Sequence, residues 1–358
     1  MKSKESIVPR VALVGYGYWG PNLLRNLVSH GGFEVVGVAE AAESARQRCV
    51  RTYPHIPVFG TVSELLNQAS PEAVVIATPP STHREVALQC IRTKADILVE
   101  KPLALSVAEC DEILFAAKQV GANVMVDHTF VYHPAVQYLS GQISSGTFGQ
   151  LLYYDSVRIN LGGFQPSTNV LWDLAPHDLS ILDLFLKVRT PKSISVLGAT
   201  HYDRTNANIC HCHLKYDNDF IAHLHLNWVA PIKVRTVMVG GTKRMGIYDE
   251  NLPSEKIKIY DKGIVVNPGR DGHDLRASYR SGDMIAPAID SNEALGTMLA
   301  AFHRHITRDE KPPSDGDAGR RIVRILEAAN ASMARQGEPV ELDEVANSRR
   351  TRRTAAAA

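Results

Sequence analysis

The chain reads as an α/β protein, with an N-terminal Rossmann-type doubly wound parallel sheet followed by a C-terminal α/β domain built on a largely antiparallel open sheet. Three observations predict this. The turn Gly15-Tyr16-Gly17-Tyr18-Trp19-Gly20 follows the apolar run Val11–Val14 and precedes a helical pattern, the context in which a dinucleotide-binding turn joins strand to helix. Up to about His128, short β-branched runs alternate with helical stretches, as crossover helices between parallel strands require. Beyond residue 129 the alternation gives way to successive strand-like runs. The expected division is residues 1–128, a dinucleotide-binding Rossmann domain; 129–345, a second α/β domain; and 346–358, a flexible tail.

In order, Val11–Val14, Phe33–Ala39, Ala73–Thr78, Ile97–Glu100 and Asn123–Asp127 read as the strands of the first sheet. The helix after the glycine turn has Pro21 in its first turn, where a missing N–H removes nothing, and stops at Gly31-Gly32. Thr61-x-x-Glu64, Thr82-x-x-Glu85 and Ser106-x-x-Glu109 read as capping boxes opening three further helices. In the second domain the spacing predicts an amphipathic helix over His133–Ile143 and strands over Leu151–Ile159, Ile194–Leu197, Ile209–Tyr216, Phe220–Trp228 and Val234–Val239. Helices over Asn292–Ile306 and Gly319–Ala334 close it, and the glycine- and charge-rich stretch Asp249–Asp290 reads as loop.

With 358 residues, a 44% apolar fraction and a formal charge of +1, the chain has material for two cores and no charge excess suited to nucleic acid or an anionic membrane. The one dense basic run, Arg349, Arg350, Arg352 and Arg353, falls in the terminal segment and reads as a solvated tail. No signal-peptide pattern and no apolar stretch of about 18 residues occurs. Cysteines at 49, 90, 110, 210 and 212 form an odd set without a CxxC pair, fitting reduced thiols and a cytoplasmic protein.

The glycine turn implies chemistry. Gly15 permits the tight turn, Gly17 admits a pyrophosphate to backbone N–H groups, and Gly20 allows the helix to pack closely. Glu40 ends the second strand, 25 residues after Gly15; its carboxylate can accept from ribose hydroxyls and would repel a 2′-phosphate, which favours NAD over NADP. Ala41 and Ala42 offer no cation, and Arg46 and Arg48 read equally as surface residues of the next helix. Two segments end strands at the carboxyl edge, where open α/β sheets bind ligands: Thr78-Pro79-Pro80-Ser81-Thr82-His83, and Glu100-Lys101-Pro102. Lys101 could donate to a substrate oxygen or be a surface lysine. Asp173 and His177, four apart at a helix start, fall on one face, as a proton-exchanging pair or as capping plus surface polarity.

These segments occur in the order and spacing of the Gfo/Idh/MocA oxidoreductases, which the chain resembles over residues 8–345. The resemblance implies that Lys101 polarises the reacting oxygen, His177 is the general acid/base and Asp173 orients it or binds substrate. It also implies that Thr78, Pro79, His83 and Glu100 lie at the cofactor with Tyr16, Tyr18 and Trp19 of the turn. It implies further that residues 129–345 bind substrate and form the oligomer interface, that the cofactor is NAD, that no metal is required, and that the open sheet forms a homodimer or homotetramer. Where the family often has Asp three residues after the histidine, this chain has Ser180, with Asp178 adjacent instead. Gly15–Asn22, Asp127–Phe130 and Leu171–Asp178 look most like the sugar-nucleotide (UDP-N-acetylglucosaminuronate-type) 3-dehydrogenases of the family, implying hydride transfer at C3 of the sugar. A dehydrogenase of free inositol or a monosaccharide shares every catalytic residue, and a diphosphate would need cations such as Arg158, Lys233, Arg235 or Arg276. A cofactor-sensing regulator would not need Lys101 and His177 together.

One cluster stands apart. His211, His213, His223 and His225 bracket Asp217-Asn218-Asp219, a hairpin turn that would set His211 opposite His225 and His213 opposite His223. The expectation is a polar or subunit face, with a zinc site as the alternative.

Overall fold

The computed structural model describes residues 8–163, 168–187, 189–202, 206–268 and 275–342. The expected tail and its arginines lie outside these residues.

The chain alternates as expected through β1 (Arg10–Val14), α1 (Gly20–His30), β2 (Glu34–Ala39), α2 (Glu43–Thr52), β3 (Val58–Phe59), α3 (Val62–Ala69), β4 (Ala73–Ile76), α4 (His83–Arg92), β5 (Asp96–Glu100), α5 (Val107–Val120) and β6 (Val124–Asp127). The strands form a parallel six-stranded sheet in the order β3-β2-β1-β4-β5-β6. Its central strands are apolar on both faces and buried, Val11 to Leu13 and Val74 to Ile76 among them, as helices on both sides demand. The Ala73–Thr78 strand ends at Ile76, and the two-residue β3 lacked any periodicity to announce it.

One of the three capping boxes forms in full, and at a second the serine caps while its glutamate accepts from Leu105 N instead of Ser106 N. Thr61 accepts from Glu64 N while Glu64 reaches back to Thr61 N, and Ser106 accepts from Glu109 N. Thr82 does not cap: a 3-10 turn over Pro80–Thr82 feeds directly into α4, so Thr82 is already helical and its hydroxyl bonds Thr78 Oγ and Pro79 O instead.

The remaining elements are α6 (Pro134–Ser144), β7 (Leu151–Leu161), α7 (Val170–Leu186), β8 (Ser193–Ala199), β9 (Ile209–Lys215), β10 (Ile221–Asn227), β11 (Val229–Gly241), β12 (Met245–Asp249), β13 (Ile257–Pro268), β14 (Leu275–Ile285), α8 (Ala294–Arg308), α9 (Gly316–Ala334) and β15 (Val340–Glu341). The second sheet has nine strands, β14-β13-β12-β11-β7-β10-β9-β8-β15, antiparallel except where β10 runs parallel to β7. The stretch expected to be loop is a correction: β12, β13 and β14 occupy most of Asp249–Asp290. β13 alternates buried and half-exposed positions over Ile257–Tyr260, but the described side chains of β14, at the end of the sheet, are exposed apart from half-buried Arg280, so that strand has no buried face for a sequence pattern to announce.

The compact units also depart from a cut at 128/129. The first comprises residues 1–133 with 292–324, and the second 134–291 with 325–358. Segment 292–324, expected in the second domain, belongs to the first because apolar side chains of α8, Met298, Leu299 and Phe302, are buried in its core. Phe302 stacks on Phe33, and Arg25 of α1 pairs with Glu293. All five cysteines are free and buried.

Candidate active site

The glycine turn is built by steric exclusion. Gly15 has φ +97°, and a Cβ there would lie 2.5 Å from the Ala77 carbonyl oxygen. A Cβ on Gly20 would lie 2.2 Å from the Gly15 carbonyl oxygen, so this glycine closes the turn on itself more than it packs helix on strand. Gly17 faces open space. Helix α1 begins at Gly20 without a side-chain cap; Pro21 has no N–H and Asn22 N and Leu23 N donate to Trp19 O, so Gly20 N is the donor its first turn offers an anion. Tyr16 is buried while Tyr18 is 95% exposed. Glu40 Oε2 accepts from Tyr16 N at 2.6 Å and Oε1 from Ala42 N at 2.7 Å, which fixes the carboxylate beside the turn with acceptor capacity left over. Arg46 folds onto the carbonyls of Glu40 and Ala41 and pairs with Glu43, so it is engaged in finishing β2. An uncapped helix start, an open face at Gly17 and an anchored acid fit a dinucleotide with a free 2′-hydroxyl.

At the carboxyl edge of the same sheet, Thr78 is half-buried and Pro79 exposed. His83, expected against the cofactor, is fully buried beneath them, its Nδ1 2.8 Å from Pro102 O and its Nε2 2.8 Å from Thr78 O. It ties the loop after β4 to the loop after β5. Burial pulls its pKa below the ordinary histidine value, against the carbonyls, which favour its charge.

Lys101 is half-buried immediately after β5. In-register pairing sets Glu100 beside Asp127, and burial followed by the Asp127 charge pushes the Glu100 carboxyl well above the usual range. Asp127 also accepts from Thr129 Oγ and, at 3.4 Å, from Trp19 Nε1, so the glycine turn is tied to β6. His128 is buried with neither ring nitrogen hydrogen-bonded, and burial, aided by the charges of Lys101 and Arg321, pulls its pKa down to about 3. Sequence reasoning assigned His128 no role; the apolar strand ahead of it was the available signal for its burial.

In the second unit, Asn169 caps α7 by accepting from Trp172 N. From Val170 to Leu182 every residue is buried except Asp173 and His177, which are half-exposed. Their spacing of four places them on one face, as the sequence predicts. Asp173 Oδ2 accepts from Trp228 Nε1 at 3.2 Å. Ser180 Oγ donates to His177 O at 2.7 Å; the hydroxyl at that position serves the helix. Asp178 is buried against Arg158, so Arg158 is not the solvent-facing cation a diphosphate would need. Arg235 pairs with Glu250, Lys233 is exposed, and the Arg276 side chain lies outside the described ones.

The four histidines form the expected ladder: His211 pairs His225 and His213 pairs His223, with ring centroids 4.4 and 4.8 Å apart. Among the described residues no group of three or more metal-ligating side chains is arranged to hold an ion, and none of the described helices is long and apolar enough to cross a membrane.

Residues 9–128 match the model of an oxidoreductase family with an NAD-binding Rossmann fold, and residues 136–245 match the model of the GFO/IDH/MocA C-terminal domain. Among curated proteins, UDP-N-acetylglucosamine 3-dehydrogenase of Acidithiobacillus ferrooxidans is 28% identical over 79% of this chain and 83% of its own. A putative oxidoreductase of Magnetospirillum magnetotacticum superposes with TM-score 0.76 at 28% identity, covering 90% of this chain and 99% of that one. The WlbA dehydrogenase of Bordetella pertussis, solved with NADH and UDP-GlcNAcA, shares the fold with TM-score 0.74 at 17% identity, over 94% and 99%.

Proposed function

Because the chain belongs to the Gfo/Idh/MocA oxidoreductases, a family whose N-terminal domain binds NAD, we propose that it is a dehydrogenase of a sugar nucleotide, exchanging hydride at C3 of the sugar ring. The observation that carries the reading is the pair Asp173 and His177, the two half-exposed residues on an otherwise buried stretch of α7. Similarity to a UDP-N-acetylglucosamine 3-dehydrogenase over most of both chains supports the substrate class. NAD, when bound, supplies the two-electron acceptor at C4 of its nicotinamide. The α1 N-terminus and the turn Gly15–Gly20 hold its pyrophosphate, and Glu40 its adenosine ribose. Thr78, Pro79 and Glu100 line the nicotinamide half, and His83 supports that wall from beneath.

In the oxidative direction Lys101 donates to the reacting oxygen and steadies the charge that develops there. His177 takes the hydroxyl proton as the C–H bond gives up hydride, leaving a ketone, and Asp173 orients the imidazole or holds substrate. In reduction His177 returns the proton. One observation favours a second reading, oxidation of free inositol or a monosaccharide: Arg158, a cation expected for a diphosphate, is engaged by Asp178. In either case the enzyme works in the cytoplasm as a homodimer or homotetramer through its second sheet.

The test is formation of reduced cofactor, followed by absorbance, with NAD and a panel of UDP- and TDP-sugars, their uronates, free hexoses and inositols. Turnover confined to nucleotide sugars, abolished in Lys101→Ala and His177→Ala while NADH still binds, is the expected result. Turnover confined to inositol or free sugar selects the second reading, and near-normal rates in either variant contradict the site.

A further inference from the structure

Asp178 is 1% exposed and directly follows His177 on α7. Its carboxylate receives Arg158 Nε at 3.1 Å on both oxygens and Arg158 Nη2 at 3.0 Å. Its main-chain oxygen receives the Tyr154 hydroxyl at 3.0 Å. Both partners belong to β7, four residues apart on the face that packs beneath α7, so one residue of the helix is fixed to one strand through both its side chain and its main chain. The planar fork of arginine makes the contact directional, restraining both slide and roll of the helix turn.

The chain of charge continues. Arg158 Nη1 reaches Glu250 Oε2 at 3.3 Å, Glu250 Oε1 takes Arg235 Nη1, and Lys256 Nζ donates to the Glu250 carbonyl at 2.6 Å. Arg158 and Arg235 are register partners on β7 and β11, and two cations side by side are tolerated because Glu250 lies between them. Burial works against the Arg158 charge, but Asp178 and Glu250 outweigh it and hold the guanidinium above its ordinary range. Each arginine of the chain is engaged by a carboxylate, Arg158 by Asp178 and Glu250 and Arg235 by Glu250. An apolar pair would stabilise a core at least as well as a buried ion pair; what the ion pair adds is direction, one residue from His177.

We propose that Arg158 and Asp178 are positioning residues, a brace from β7 that sets the place of His177 on α7, with Tyr154 and Glu250 as its secondary anchors. The inference rests on the reading of His177 as the proton-exchanging group. The acid at 178 faces the sheet, and the buried Ser180 bonds the His177 carbonyl within the helix.

The test compares, in the full-length enzyme, Asp178→Asn, Arg158→Lys, Tyr154→Phe and the double variant Arg158→Met with Asp178→Leu. Thermal unfolding, kcat, KM for NAD and the pH dependence of kcat are measured for each. A displacement of about 1 Å lowers rates about 100-fold, so kcat is expected to fall by about 10- to 100-fold in the first two and in the double variant. KM for NAD should stay within about twofold. The pH dependence of kcat should shift in the same variants relative to the wild type. The double variant is the discriminating case, because its apolar pair keeps the fold: slow turnover in a protein as heat-stable as the wild type supports the brace, whereas restored turnover assigns the pair to stability alone and overturns it. Should the charged variants unfold, Tyr154→Phe, which deletes one hydroxyl, decides by the same split between kcat and KM. Full activity in His177→Ala would sink the underlying reading, whatever the brace variants do.

Discussion

His128 shows burial setting a side chain's chemistry without any hydrogen bond. Its pKa is about 3 in the folded protein against an ordinary 6.5, so the unfolded chain binds this proton more readily. The neutral ring therefore contributes its full stability above pH 6.5, and the contribution drains away as pH falls toward about 3. Between pH 6.5 and about 5 the loss from this group is about 2 kcal/mol. Urea unfolding at about pH 7 and about pH 5 should show a smaller acid loss in His128→Leu than in the wild type, by about that amount; identical losses would mean the ring is solvated. Glu100 is displaced the opposite way, by burial and by Asp127. Folding therefore favours its proton, and its contribution is complete below the ordinary carboxylate range and fades as pH rises through the folded value. That these two residues end apolar strands was readable from sequence; that neighbouring strands would bring Asp127 to one and Lys101 to the other was not, because register across a parallel sheet leaves no local mark.

The turn before α1 separates two roles that one motif combines. Gly20 has no room for a Cβ, with the Gly15 carbonyl 2.2 Å away, while Gly17 has open space. Gly20→Ala should thus destabilise the protein by at least about 1 kcal/mol, because backbone must shift. Gly17→Ala should unfold like the wild type yet bind NADH at least about tenfold more weakly, because its methyl meets the approaching pyrophosphate. Thermal scans and fluorescence titration check both; a stability loss confined to Gly17→Ala would reverse the assignment. At this scale the glycines, the Thr61 and Ser106 caps and the α7 pair were legible, since each depends on residues within four positions. The Thr82 cap and the β13–β14 hairpin were not: a 3-10 turn preceded the first, and the second takes its stability from the edge of a sheet already formed.

The second sheet has one face under helices and one open, and on the open face the histidine ladder lies among Leu197, Ile221 and Met238, 61, 57 and 37% exposed. Apolar exposure of this kind on a wide sheet suits a second copy of the chain. Light scattering should give a dimer or tetramer, with Ile221→Asp shifting it toward monomer; a wild-type monomer would contradict the proposed assembly. Burial lowers the pKa of His223 and His225, and their histidine neighbours lower it further. By itself the sequence determined the fold class, the dinucleotide turn, Glu40, the strand-end residues Glu100 and Lys101 and the spacing of Asp173 and His177, because periodicity, steric demands and offsets along one element are properties of contiguous residues. Tertiary structure alone decided that segment 292–324 packs with the first unit, that His83 is buried between the loops after β4 and β5, and that Arg158 is paired with Asp178. Those outcomes depend on which strands become neighbours and which side chains they bury together, and such contacts join residues up to about 270 positions apart, as with Arg25 and Glu293.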